Sequence, residues 1–77
     1  MTLNCIIIDD EPLAAELLAS YARKTLFLNL IGVFNSAVEG IKVIRENRVD
    51  LIFLDIQMPE LSGLEFAKIL PKETKII

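Results

Sequence analysis

The sequence contains no histidine and a single cysteine, Cys5, among its 77 residues. One cysteine cannot close an internal disulfide, and without histidine or a second thiol zinc has no plausible set of ligands. The longest uninterrupted apolar runs have four residues, well below the roughly 18 of a membrane span. No basic segment precedes the first run, so a secretory signal peptide is not indicated. These absences favour a cytoplasmic protein without a zinc site.

Basic residues are outnumbered, with 8 Lys and Arg against 11 Asp and Glu and a formal net charge of −3. That balance argues against nonspecific binding of nucleic acid, which needs a basic surface. Hydrophobic residues make up 53% of the chain, above the roughly 45–50% of an ordinary globular domain. Such an excess favours strands that are buried on both faces, as in a parallel sheet covered by helices.

Short apolar runs rich in β-branched residues recur along the chain and favour buried strands. The predicted strands span residues 3–8, 28–34 and 51–54, and residues 75–77 look like a fourth strand that is cut off as it begins. Helical patterns separate these runs, and such an alternation predicts a parallel sheet with right-handed crossovers and helices on both faces. The predicted fold class is therefore α/β, a doubly wound parallel sheet that is truncated after the start of strand four.

Each predicted helix begins at a recognisable signal. Pro12 suits the first turn of a helix, where its missing N–H costs nothing. Ser36–Glu39 and Ser62–Glu65 have capping-box spacing, a hydroxyl followed three residues later by a carboxylate, and Pro71 ends the third helix. The pattern of the first helix predicts one apolar stripe, the kind that usually faces a core, formed by Leu13, Ala14, Leu17, Leu18 and Tyr21. The second helix is predicted to turn inward Val38, Ile41 and Ile44.

Acidic residues stand where two of the predicted strands end. Asp9 and Asp10 follow the first strand, and Asp55 follows the third. Open parallel sheets bind ligands at the carboxyl ends of their strands, and neighbouring strand ends lie about 5 Å apart. If the first and third strands are neighbours, three carboxylates crowd into one crevice and repel one another. A divalent cation would relieve that repulsion.

The types of ligand indicate which cation would bind. All of the candidate ligand atoms are oxygens, and the backbone carbonyl of Gln57, two residues after Asp55, could add another oxygen ligand. Mg²⁺ fits best, since it binds through one or two carboxylates together with waters and phosphate oxygens. A carboxylate is also a competent nucleophile toward a phosphoryl group, whose charge the metal would neutralise during in-line transfer. Asp55 is the best candidate nucleophile because it stands alone at its strand end, and Asp9 and Asp10 would hold the metal.

Two segments resemble the receiver domains of two-component response regulators. They are Ile6–Pro12 and Asp50–Pro59, the second followed by Ser62 and Gly63, and they stand at the separation usual in that family. The resemblance covers the whole chain. It implies a flavodoxin-like fold with the strand order 2-1-3-4-5.

The resemblance also implies a function and its residues. A sensor histidine kinase would transfer a phosphoryl group to Asp55, with Asp10, Asp55 and the Gln57 carbonyl as direct Mg²⁺ ligands and Asp9 acting partly through water. The domain would switch an output domain and would not be an enzyme. Residues 10–14 and 56–59 are most similar to regulators with a LytTR-type DNA-binding output domain. DNA contact would then belong to that domain and not to this chain.

The family also uses a Ser or Thr at the end of strand four and a Lys at the end of strand five, which this chain does not reach. We therefore expect residues 1–77 to be the N-terminal portion of a receiver domain, without strand five and the last two helices. Its open strand edge would favour edge pairing or strand exchange with a second copy. A pseudo-receiver that only binds partners and an inactive receiver fragment remain alternatives. A phosphatase of the haloacid-dehalogenase type is disfavoured, because it needs a second Asp where Gln57 stands.

Overall fold

The computed structural model describes residues 2–55, 68 and 74–77. Within them the strands are β1 (Leu3–Ile8), β2 (Leu28–Phe34), β3 (Leu51–Leu54) and β4 (Lys75–Ile76), and the helices are α1 (Pro12–Lys24) and α2 (Ala37–Glu46). The bounds of β1, β2 and β3 agree with the predicted strands. The predicted third helix and its capping box lie outside the described residues, apart from Lys68, which is helical.

The described strands form one parallel sheet in the order β2-β1-β3-β4. The chain leaves β1 toward β2 on one side and then returns to place β3 on the other. β1 and β3 are therefore neighbours at the switch point in strand order, where ligands of open α/β sheets bind. The doubly wound parallel fold and the pairing of the first and third strands are both confirmed.

β1 is buried on both faces because its side chains alternate between the two helices. The cluster on the α2 face includes the buried residues Ile6, Ile8, Ala37, Ile44 and Ile52, and the cluster on the α1 face includes Ile7, Ala15 and Ala19. Each fully buried isoleucine contributes about 1.5–3 kcal/mol of transfer free energy. The residues that follow β1 therefore project from a firmly anchored strand.

The face that α1 turns toward the sheet differs from the prediction. The predicted stripe lies mostly outside, with Leu13 79% and Tyr21 60% exposed and Leu17 and Leu18 also exposed. The buried residues of α1 are Ala15, Ala19 and Ala22. The prediction of an inward leucine stripe was wrong because small side chains allow α1 to lie close against β1 and β2, and the larger ones are left on the outer face.

α2 begins as predicted, since Ser36 Oγ accepts a hydrogen bond from the Glu39 N–H at 3.3 Å. Ile44 is buried and Ile41 packs against the same cluster, but Val38 is 69% exposed, so the inward prediction for Val38 was wrong. Ala37 packs against the sheet instead, and successive helical residues are about 100° apart, which turns Val38 to solvent. No helix in the described part of the chain has the length and hydropathy of a membrane span.

A polar network at the amino ends of the strands sets the register of β1 on β3. The Asn4 N–H donates to Asp50 Oδ2 at 2.8 Å, and the Asp50 N–H donates to the Asn4 carbonyl at 2.8 Å. Arg48 Nε donates to Asp50 Oδ1 at 3.3 Å, and Asn29 Nδ2 donates to Asn4 Oδ1 at 3.0 Å. A slip of β1 by one residue on β3 would break the bonds between Asn4 and Asp50, so these two bonds favour the observed register.

Candidate metal centre

Backbone hydrogen bonds tie the carboxyl ends of three strands together. The Asp9 N–H donates to the Phe34 carbonyl at 3.0 Å, which joins β1 to β2. The Asp55 N–H donates to the Ile8 carbonyl, also at 3.0 Å, which joins β3 to β1. Within residues 2–55 these are the last bonds of the two ladders, and the sheet holds the backbones of Asp9 and Asp55 in place.

The carboxylates of Asp9, Asp10 and Asp55 converge at this edge of the sheet. One oxygen atom from each lies within 4.8 Å of the others. Asp9 is 8% exposed and Asp55 is half-buried, whereas Asp10 is exposed, so the cluster opens to solvent on the Asp10 side. The structure thus brings together the three predicted carboxylates. Gln57 lies outside the described residues, and its carbonyl as a ligand stays a prediction.

A turn holds the side chain of Asp9. Its Oδ1 accepts a hydrogen bond from the Glu11 N–H at 2.9 Å, the geometry of an Asx turn. Glu11 Oε1 in turn accepts from the Leu13 N–H at 3.3 Å and caps α1. The sequence predicts Glu11 to be a solvated acid at the start of the first helix, and the structure finds it exposed there as the N-cap residue. An Asp shortly before a helix-starting Pro12 is a local signal for the Asx turn of Asp9. The role of the Phe34 carbonyl has no local signal, because it depends on the pairing of β1 with β2.

The three carboxylates influence one another electrostatically. Desolvation raises the pKa of Asp10 above its ordinary value of 3.8, and the negative charge of Asp55, a side-chain hydrogen bond with Asp55 and the charge of Asp9 raise it further. Like charges at this distance disfavour ionisation, and a bound cation reverses the effect. The donors are all carboxylate oxygens, which suit a hard divalent cation such as Mg²⁺ and not a soft metal.

The doubly wound parallel sheet has the flavodoxin-like α/β architecture, and the acidic cluster lies at its switch point in strand order. Comparison with known families identifies the class more closely. The response regulator receiver domain family matches residues 5–77. The chain belongs to the response regulator receiver domain family.

Individual relatives agree with this assignment. The chain is 42% identical over 71 residues to the transcriptional regulatory protein BtsR of Escherichia coli K12, which covers 92% of the chain and 30% of BtsR. The response regulatory domain of mrkE from Klebsiella pneumoniae superimposes with a TM-score of 0.82 at 30% identity, covering 96% of this chain and 63% of that one. The chain therefore spans about 30% of the length of the full regulator it matches.

A third relative was crystallised with a partner. It is a chain of the co-crystal structure of the Saccharomyces cerevisiae histidine phosphotransfer signalling protein Ypd1 and the receiver domain of its downstream response regulator Ssk1. The TM-score is 0.68 at 32% identity, and the match covers 87% of this chain and 45% of that one.

Proposed function

We propose that this chain is the phosphoacceptor part of a two-component response regulator. Asp55 receives a phosphoryl group from a sensor histidine kinase, and Mg²⁺ binds to Asp9, Asp10, Asp55 and the Gln57 carbonyl. The observation that carries this proposal is the convergence of three carboxylates, from two neighbouring strand ends, within 4.8 Å. The complex of the Ssk1 receiver domain with a histidine phosphotransfer protein supports a phosphohistidine protein as the donor.

The proposed reaction is an in-line phosphoryl transfer. A carboxylate oxygen of Asp55 forms the new bond to phosphorus while the bond from phosphorus to the donor imidazole nitrogen breaks and leaves its electron pair on that nitrogen. Bound Mg²⁺ would supply positive charge to the phosphoryl oxygens. The chain supplies the positioning, because the bond from the Asp55 N–H to the Ile8 carbonyl sets the nucleophile beside Asp9 and Asp10. The half-buried position of Asp55 leaves room for the donor to approach.

Phosphorylation would switch an output domain, so the protein would act as a regulator and not as an enzyme that releases a product. The name of BtsR, a transcriptional regulatory protein, supports a DNA-binding output domain, and a LytTR-type domain remains the proposed kind. Contact with DNA would then be made by that domain, in the cytoplasm. Association with a second copy through a strand edge stays a prediction.

Intact-mass measurement of the full-length protein after incubation with acetyl phosphate and Mg²⁺ tests the proposal. We expect one added phosphoryl group in the wild type and in the control Glu46→Gln, which changes an exposed acid at the end of α2. Asp55→Asn should show none. A label that persists in Asp55→Asn would place the acceptor elsewhere. A folded wild type that takes up no label would favour the pseudo-receiver alternative.

A further inference from the structure

Gly32 lies in the strand next to the candidate metal centre, and an aromatic ring covers it. Its partner on β1 is Ile6, just after the register skips Ile31. A Cβ added to Gly32 would lie 2.5 Å from Phe34 Cζ and 2.7 Å from Phe34 Cε2. The φ angle of Gly32 is not positive, so the backbone conformation does not require glycine. What a side chain at position 32 would meet is the Phe34 ring, which lies over the bare Cα of Gly32.

The Phe34 ring is half-buried, and neighbouring side chains limit its movement on the inner side. It packs against the cluster on the α2 face that contains Ile6, Ile8 and Ala37. Ile6 and Ile8 are 0% exposed, and Ala37 is 3% exposed. Interiors are packed at the density of organic crystals, so a side chain pushed from one side displaces its own backbone or its neighbours. A methyl group at Gly32 would collide with this ring, and because the inner side of the ring is packed we expect part of the displacement to reach the Phe34 backbone.

The backbone of Phe34 is connected directly to the acidic cluster. Its carbonyl accepts the hydrogen bond from the Asp9 N–H at 3.0 Å, the last bond between β2 and β1. Asp9 is the most buried of the three acids, and its Oδ1 is already held by the Glu11 N–H at 2.9 Å. A shift of Phe34 thus moves or breaks one of the two bonds that orient Asp9.

We infer that Gly32 and Phe34 form a positioning pair for Asp9. The missing side chain of Gly32 leaves room for the Phe34 ring. With the ring in this position, the Phe34 carbonyl lies within hydrogen-bond distance of the Asp9 amide. The pair, whose functional meaning rests on the proposed metal site, touches neither the ion nor the phosphoryl group. It acts through Asp9, as do other partners that orient metal ligands, whose loss commonly weakens metal affinity by about 10–100-fold.

Two measurements on the full-length protein test this pairing. Titration calorimetry gives the affinity for Mg²⁺, and deuterium exchange in the absence of metal reports on the Asp9 amide. Gly32→Ala should weaken Mg²⁺ binding by about 10-fold and speed exchange of the Asp9 amide. The double variant Gly32→Ala with Phe34→Leu removes the ring and should return both values close to those of the wild type. Val33→Ala, which changes an exposed residue on the same strand, is the matched control and should change neither value.

The outcomes separate a positioning role from a general loss of stability. Wild-type affinity and exchange in Gly32→Ala would overturn the inference. So would an equal loss in the double variant, because the ring would then not be the cause. If Gly32→Ala fails to fold, a folded double variant with wild-type affinity supports the pairing, and an unfolded one overturns it. A wild type that does not bind Mg²⁺ would contradict the proposed function instead. Exchange of the Asp9 amide, compared between the wild type and Gly32→Ala, would still show whether Gly32 and Phe34 position Asp9.

Discussion

Replacing Asp50 tests whether the polar network at the amino ends of the strands holds β1 in register on β3. The Asp50 carboxylate accepts the Asn4 N–H at 2.8 Å and pairs with Arg48 Nε at 3.3 Å. Asp50→Ala removes both contacts and leaves the Asn4 amide without its acceptor. The register in question is the one that brings Asp9 and Asp10 beside Asp55, since it pairs Ile8 with Leu54.

The two contacts of Asp50 differ in expected strength because they differ in exposure. A hydrogen bond to a charged group contributes about 1.5–3 kcal/mol. The Asp50 side chain is only 15% exposed, which protects its bond to Asn4. Arg48 is 79% exposed, so the ion pair is screened by water and adds about 0–1 kcal/mol. We expect Asp50→Ala to lower the free energy of unfolding by about 2 kcal/mol and Arg48→Ala by about 0.5 kcal/mol or less.

Denaturant titration, followed by deuterium exchange of peptides from β1 and β3, measures the free energy of unfolding of this domain even when other domains are attached. Asp50→Asn should fall between wild type and Asp50→Ala, because its amide oxygen can still accept from Asn4. Equal losses in Arg48→Ala and Asp50→Ala would show that the exposed ion pair, and not the bond to Asn4, carries the effect. A loss below about 0.5 kcal/mol in Asp50→Ala would refute the reasoning altogether.

Three further predictions follow from the packing and charges of the described residues. Without metal, Asp10→Asn should melt at a higher temperature than the wild type. The pKa of Asp10 is raised in the folded state, so its ionisation destabilises that state, and the difference in melting temperature should grow as the pH rises above about 3.8. Added Mg²⁺ should raise the melting temperature of the wild type but not of Asp10→Asn. Equal melting temperatures of the two proteins across the pH range would contradict the first expectation, and an equal rise on adding Mg²⁺ would contradict the second. Ala19→Leu, at a position that faces the sheet and is 3% exposed, should destabilise the protein by about 1–3 kcal/mol. Leu17→Ser, on the outer face of α1, should change stability by less than about 0.5 kcal/mol. A larger loss of stability in Leu17→Ser than in Ala19→Leu, measured by chemical denaturation, would mean that the leucine face is the buried one. Thr74→Val should cost about 1–2 kcal/mol, because the buried Thr74 hydroxyl donates to the Val49 carbonyl at 2.7 Å, and an unchanged denaturation midpoint would mean that this bond contributes nothing net.

Much of the fold and of the candidate site could be predicted from the sequence, because those features depend on local patterns. The strands agree with their apolar runs, since short β-branched segments bounded by polar residues have few other ways to be buried. The Ser36 cap and the helix start at Pro12 are set by residues within one turn. The acids could be placed at the carboxyl ends of β1 and β3 because each follows its strand directly in the chain.

The remaining features were decided by the tertiary structure alone. Which face of α1 is buried depends on how closely the helix approaches the sheet, and there Ala15 and Ala19 prevail over the more hydrophobic leucines. The bond from the Asp9 amide to Phe34 exists only because β2 lies beside β1 in one register, and that register includes the skip at Ile31. The contact of the Phe34 ring with Gly32 likewise has no signal in local propensity. Such contacts join residues through rotation, register and close packing, which one-dimensional patterns do not encode.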